Sequence, residues 1–280
     1  MKIHAFNIGN FKLDGGAMFG VVPKVLWSKQ YPSDENNLCD WALRTLLIED
    51  GDRLILIDNG LGHKQEEKFY SHYHLSGTHN IEKSLNELGF SCDDITDMFL
   101  THLHFDHCGG GIIKDEKGSL KPLFKNAKYW TNKEHFDWAT NPNPREKASF
   151  LKENILPMQE SGQLHFLNDG EYLTPNFQVM FCYGHTHAMM VPLIKYQNRN
   201  IAFMADLIPA AVHVPVAWVI GYDTRPLESV KEKTKFLNKA VAEDFILYFQ
   251  HDALNECCTV MKTEKGIRVK EKFKFQEVFK

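Results

Sequence analysis

The sequence predicts a mixed α/β protein, one domain over residues 1–280, and three observations predict it. Short β-rich runs alternate with amphipathic helical segments along the chain. Four of the runs end in histidine or aspartate side chains of metal-ligand type. No linker-like low-complexity segment interrupts the pattern.

The elements follow in order. Residues 43–58, LRTLLIEDGDRLILID, hold two β-rich runs around Glu49-Asp50-Gly51-Asp52, a hairpin turn. The second run ends in Asp58-Asn59-Gly60. NIEKSLNELG at 80–89 reads as a helix capped by Asn80 and stopped by Gly89, with Ile81, Leu85 and Leu88 on one face. ITDMFL at 95–100 is a strand that delivers THLHFDHCGG, residues 101–110. AKYWTN at 127–132 is a strand. Helices are expected near 132–139 and 145–161, broken by Asn141-Pro142-Asn143-Pro144. QLHFL and FQVMFCY are strands, and the second delivers Gly184-His185-Thr186-His187. VPLIKY and NIAFMAD pair across residues 197–200, and the second run ends at Asp206. A long loop reaches about residue 226. A helix over 228–243 places Val230, Phe236, Leu237 and Val241 in a stripe. FILYF at 245–249 delivers Gln250-His251-Asp252, and KTEKGIRVKEKFKF at 262–275 reads as a solvated edge strand.

Composition narrows the function. The chain is 43% apolar and 24% charged, ordinary for a globular protein, with a net charge of −4. No basic stripe marks a nucleic-acid face. The longest apolar stretch near the start, AMFGVVPKVLW, is too short and too broken by Gly20, Pro23 and Lys24 to span a membrane. The six cysteines show no CxxC, and the first residues lack the apolar run of a secretory signal. Reduced thiols and a cytoplasmic location are expected.

The strand ends together offer five histidines and two aspartates: His102, His104, Asp106 and His107, then His185, Asp206 and His251. Any one alone is ordinarily structural. The set suits two divalent ions of borderline softness. Alternation in an extended segment puts His102 and His104 on one side, while Asp106 and His107 can turn to a second ion. A carboxylate can bridge two ions, which makes Asp206 the natural bridge.

These residues carry a family resemblance. Residues 101–110 resemble the HxHxDH signature of the metallo-β-lactamase-fold hydrolases. Leu56-Ile57-Asp58-Asn59-Gly60 looks like the family's strand-Asp-x-Gly turn, and Gly184-His185-Thr186 like its Gly-His-Thr motif. Ala205-Asp206 looks like the bridging aspartate and Gln250-His251 like the last ligand. The resemblance spans roughly residues 43–252. It implies a four-layer αβ/βα sandwich. It implies His102, His104 and His185 on one ion, Asp106, His107 and His251 on the other, and Asp206 between them. Asp58 would hold the motif loop from behind by hydrogen bonds. His187 stands where many relatives have proline or a small residue, and packing or support of the ligands is the role expected.

True β-lactamases of the fold usually have cysteine in place of Asp206, and flavin-linked diiron members have glutamate in place of His104. The nearest branch is that of N-acyl-homoserine lactonases and methyl-parathion-hydrolase-like enzymes. Lactonases commonly place tyrosine three residues past the bridging aspartate, where this chain has Pro209. The function implied is hydrolysis of a small-molecule ester, lactone or phosphoester by a metal-bridging hydroxide, with Asp106 and Asp206 catalytic. The ions are expected to be zinc, with iron or manganese as alternatives. A thioesterase of the glyoxalase II kind, or a non-catalytic metal-binding sensor, is the rival reading.

Five side chains are substrate-pocket candidates: Phe19, Phe136, Trp138, His213 and Trp218. Phe136 and Trp138, two apart on a helix, split between core and pocket wall. Tyr222 and Asp223 lie in the same long loop as His213 and Trp218, where specificity is often carried. The run Ala17–Trp27 is too apolar for a free loop, so it is expected to cover the pocket mouth, contact a second copy in a homodimer, or both. His72, His74 and His79 read as a solvated polar loop in preference to a third metal site, and Cys108 as tight packing in preference to thiol chemistry.

Overall fold

The chain enters its first sheet at once, through a strand that its sequence does not announce. β1 (Lys2–Asp14) is followed by short helices α1 (Gly15–Phe19) and α2 (Lys24–Trp27), then by β2 (Leu38–Asp50) and β3 (Arg53–Ile57). Next come α3 (Glu67–Ser71), α4 (Ile81–Glu87), β4 (Asp97–Phe99), α5 (Phe105–Cys108), β5 (Ile112–Lys114), β6 (Leu120–Pro122) and β7 (Lys128–Thr131). α6 (Lys133–Thr140), α7 (Lys152–Glu160), β8 (Leu164–Phe166), β9 (Tyr172–Thr174), β10 (Phe177–Cys182), β11 (Met189–Tyr196) and β12 (Arg199–Phe203) continue the chain. It closes with α8 (Pro226–Ala242), β13 (Ile246–Tyr248), β14 (Cys257–Thr263), β15 (Gly266–Phe273) and α9 (Phe275–Val278). This computed structural model describes residues 1–279; Lys280, the end of the expected domain, lies outside them.

Two units emerge, Met1–Asn10 with Leu43–Asn168, and Phe11–Ala42 with the chain from Asp169 onward. The first is built on a six-stranded sheet of order β1-β2-β3-β4-β7-β8. β3, β4, β7 and β8 run parallel, and β2 pairs antiparallel with β3 from Leu47↔Leu56 to Asp50↔Arg53. Parallel strands end at one edge of a sheet, so Asp58, the 101–107 segment and the start of α6 leave from the same side. Ile55, Leu56, Ile57, Met98 and Phe99 are buried, as near-continuous apolar runs in parallel strands require.

The second unit is built on a seven-stranded sheet of order β15-β14-β13-β12-β11-β10-β9. β10 and β12 both run antiparallel to β11, and β13 runs parallel to β12. β10, β12 and β13 therefore point the same way and deliver His185, Asp206 and His251 at one edge. Phe236, Leu237 and Ala240 of α8 are buried, and Pro226 opens that helix at a position where its missing N–H costs nothing.

Several local expectations hold. The Asn80 side chain accepts from Lys83 N–H to cap α4. The β11–β12 hairpin turns on Gln197 and Asn198, both left-handed at φ +47° and +59°. The 262–275 segment contains β15, which ends its sheet. Other expectations change. The helix expected over 145–161 begins only at Lys152. Upstream, Asn143 Oδ1 accepts from the N–H groups of Arg145 and Glu146, holding a turn that competes with helix. The apolar run 17–27 divides: Met18, Phe19 and Trp27 are buried, while Val21 is 91% exposed and Val25 70%. His79 is not solvated; it is buried with Nε2 bonded to the carbonyls of Asn10 and Ser76.

Candidate metal centre

In the first unit, the turn after β3 organises the histidine segment. Asp58, fully buried, accepts from Thr101 N–H and Thr101 Oγ1–H at 2.8 Å each, and from His107 Nδ1 at 2.9 Å. Asn59 N–H donates to the His107 carbonyl, and Asn59 Oδ1 accepts from Gly111 N–H, both at 2.8 Å. This approach needs the glycines: a Cβ on Gly110 would lie 2.2 Å from the Asn59 carbonyl oxygen. Leu103, between two of the histidines, donates its N–H to His135 Nε2 at 2.8 Å. The Cys108 thiol donates to the Leu103 carbonyl, and burial pushes its pKa far above the thiol range, so it packs and does not react. Lys64 Nζ donates to the Gly109 carbonyl, and burial lowers its pKa to about 8.

These bonds fix ring orientations. Thr101 Oγ1, already donating to Asp58, accepts from His102 Nδ1 at 3.1 Å. His102 and His107 thus carry their protons on Nδ1 and present bare Nε2 atoms. His102 Nε2 lies 3.0 Å from His104 Nδ1, and His107 Nε2 lies 3.5 Å from Asp106 Oδ2. Asp106 is the least buried of the four side chains.

The second unit repeats the device. His185 Nδ1 donates to Asp223 Oδ1 at 3.1 Å, and His251 Nδ1 to the Ala42 carbonyl at 2.8 Å. Their Nε2 atoms each meet an oxygen of Asp206 at 3.2 Å, His185 at Oδ2 and His251 at Oδ1. The loop carrying His185 is held by Glu232, which accepts from Tyr183 N–H and Gly184 N–H. Burial raises the Glu232 pKa against those bonds.

This donor chemistry fits a cation. Neutral imidazole nitrogens and carboxylate oxygens are all acceptors once each Nδ1–H is committed, and acceptors at 3.2 Å repel unless a proton or metal ion lies between them. Histidine and carboxylate ligands with buried Nδ1–H partners form the donor set that zinc and similar ions take.

The remaining candidates fall in separate places. Phe19 is fully buried, stacked at 4.6 Å on Trp27 and at 4.9 Å on His213, with the half-buried Trp218 edge-on to it at 6.4 Å. His213 Nε2 donates to the Met18 carbonyl, and burial with Lys233 nearby drops its pKa to about 3, so its ring stays neutral. Phe136 is buried, and the half-buried Trp138 donates its Nε1–H to Glu146 at 2.8 Å. His187 is half-buried, edge-on to Tyr183 and 3.4 Å from the Arg225 guanidinium. Sequence reasoning missed His135, Glu146 and Glu232; it placed Asp223 in the long loop, where it lies, but not as the buried partner of His185. The one signal at His135 was its place three residues after Asn132, a helix cap whose side chain accepts from His135 N–H.

Comparison with known proteins identifies the family. The family model of the metallo-β-lactamase superfamily matches residues 44–251. The chain belongs to the metallo-β-lactamase superfamily. Among curated proteins it is 24% identical over 256 residues to an N-acyl homoserine lactonase of Bacillus cereus, covering 83% of this chain and 87% of that one. Among solved structures it resembles a probable metal-dependent hydrolase from Staphylococcus aureus, with 29% identity, a TM-score of 0.87 and coverage of 97% of this chain and 96% of that one. It also resembles AidC, a dizinc quorum-quenching lactonase, at 23% identity and a TM-score of 0.79, over 97% of this chain and 95% of the other. The fold is the metallo-β-lactamase fold, and the protein is a metal-binding, lactonase-like hydrolase of that superfamily. Among the described residues no helix is long and apolar enough to cross a membrane.

Proposed function

We propose that this protein is a dinuclear metal-dependent hydrolase that cleaves an ester, lactone or phosphoester bond in a small molecule. In this reading His102, His104 and His185 hold one divalent ion, Asp106, His107 and His251 hold the other, and Asp206 serves both. Zinc is the default for this donor set, with iron or manganese as alternatives. The observation that carries the reading is the commitment of Nδ1–H on His102, His107, His185 and His251 to buried partners, which leaves every Nε2 bare. The lactonase relatives support the ester and lactone end of the range.

Two ions bound there would act as Lewis acids on the substrate oxygen and lower the pKa of water to about 7. The chain's own groups do the rest. Asp206 supplies negative charge against two cations, and its two oxygens already face two imidazoles. Asp58 and Asp223 hold the rings of His107 and His185 in the required tautomer. Asp106, the most accessible carboxylate of the set, carries the proton from the attacking water to the leaving group. The net charge of −4 supports a small-molecule substrate in preference to a nucleic acid.

The test is metal analysis combined with turnover of an N-acyl homoserine lactone, p-nitrophenyl acetate, a phosphotriester and a glutathione thioester. Metal-dependent turnover of one of the first three is expected. Thioester turnover alone would move the assignment to the glyoxalase II class, and metal without turnover to a sensor.

A further inference from the structure

One of the buried carboxylates outside the proposed ligand set lies beside a candidate ligand. Glu146 is 3% exposed, in the turn before α7. Its Oε2 accepts from Trp138 Nε1–H at 2.8 Å and from Asn143 Nδ2–H at 2.5 Å. Its Oε1 lies 3.6 Å from His104 Nε2. A buried carboxylate is expensive unless something needs its charge.

His104 explains the need. Its ring is reversed relative to the other four. His102, His107, His185 and His251 turn Nδ1 backward onto a partner and Nε2 forward. His104 turns Nδ1 toward His102 Nε2, at 3.0 Å, so its rear nitrogen is Nε2. The partner for a rear nitrogen must then come from beyond the ring tip. The 143–150 turn is held against this segment: Ser149 accepts from Phe105 N–H at 3.0 Å, and Phe150 packs on the His104 ring at 4.7 Å.

We infer that Glu146 is a positioning residue for His104, setting its tautomer and orientation through a carboxylate that Trp138 and Asn143 hold in place. The inference rests on the dinuclear reading above. It also gives Trp138 a role: the indole that was a candidate pocket wall fixes the carboxylate behind a metal ligand. A substrate that displaces Trp138 would loosen the ion held by His104.

The test is a chelator-competition titration of metal-stripped protein with Zn2+, resolving the two binding steps, alongside thermal melting of the stripped form. Glu146→Gln keeps size and removes charge. It should weaken one step by 10- to 100-fold and leave the other within a factor of about three, the range expected when such a support is lost. Trp138→Phe keeps the carboxylate but leaves Oε2 with Asn143 as its donor in place of two, and should weaken the same step by a smaller factor. Glu116→Gln, in an exposed turn, is the control and should match wild type. If Glu146→Gln does not fold, Trp138→Phe alone decides. Two wild-type steps with both variants unchanged, or with both steps weakened equally, would overturn the role of Glu146 and leave the dinuclear reading intact. A wild-type protein that takes up no ion would overturn the dinuclear reading and the role of Glu146 together.

Discussion

Asp206 and Asp223 are both buried aspartates of one unit, and their neighbours give them different work. Asp206 has an imidazole Nε2 at 3.2 Å from each oxygen, and we propose it as the ligand shared by both ions. Asp206→Asn keeps shape and one oxygen but removes the charge that offsets two cations. The variant is expected to fold, to lose at least one ion and to lose roughly 100-fold or more in rate, because metal-assisted stabilisation is worth several kcal/mol. Metal analysis and initial rates check this, and two retained ions with near-full rate would refute it. Asp223 touches His185 from behind, at Nδ1. Asp223→Asn leaves an oxygen to accept that bond but no charge to strengthen it. Metal affinity should fall about 10- to 100-fold with the protein still folded. The sequence shows Asp223 only as one more polar residue in a long loop. Its partner lies 38 positions away, and the return of the chain from β12 to α8 brings them together. Glu146, 42 positions after His104, was hidden for the same reason.

At the scale of elements, the segments that bear candidate ligands were legible because a strand must end somewhere and its last residues were unusual. The apolar runs before Asp58, Thr101, Asp206 and Gln250 are compact and β-rich, and each became a strand. β1 escaped notice because its inward residues are spaced by glycine, asparagine and histidine, which blur a two-residue alternation. The tight packing of the motif segment can be probed through Gly110. Gly110→Ala drives a Cβ into the Asn59 carbonyl, whose residue is tied to His107, so neither side can yield. A loss of about 1–3 kcal/mol is expected, read as a lower urea midpoint; an unchanged midpoint would show that the turn gives way. α8 offers a pH test. Buried Lys233 donates to the carbonyls of Pro215 and Trp218 at 3.2 and 2.6 Å, and burial lowers its pKa from 10.5 to about 7. The folded state then binds fewer protons than the unfolded chain between about pH 7 and 10.5, so this group makes stability rise with pH across that window and costs most below it. Lys233→Met removes the dependence. The unfolding free energy of wild type minus variant should increase by roughly 1–3 kcal/mol from pH 7 to pH 9.5. A flat difference would mean that the lysine keeps its ordinary pKa.

For the whole molecule, the proposed function requires two divalent ions per chain. Each unit carries its own buried apolar sheet, so the chain should stay folded after chelation and melt at a lower temperature than the loaded form. The most direct measurement is elemental analysis of protein purified without chelator, repeated after incubation with zinc or manganese and removal of free metal. Seven histidine and aspartate ligands exceed what one tetrahedral ion uses, so close to two ions per chain are expected. A value of one or zero that added metal does not raise would contradict the dinuclear centre.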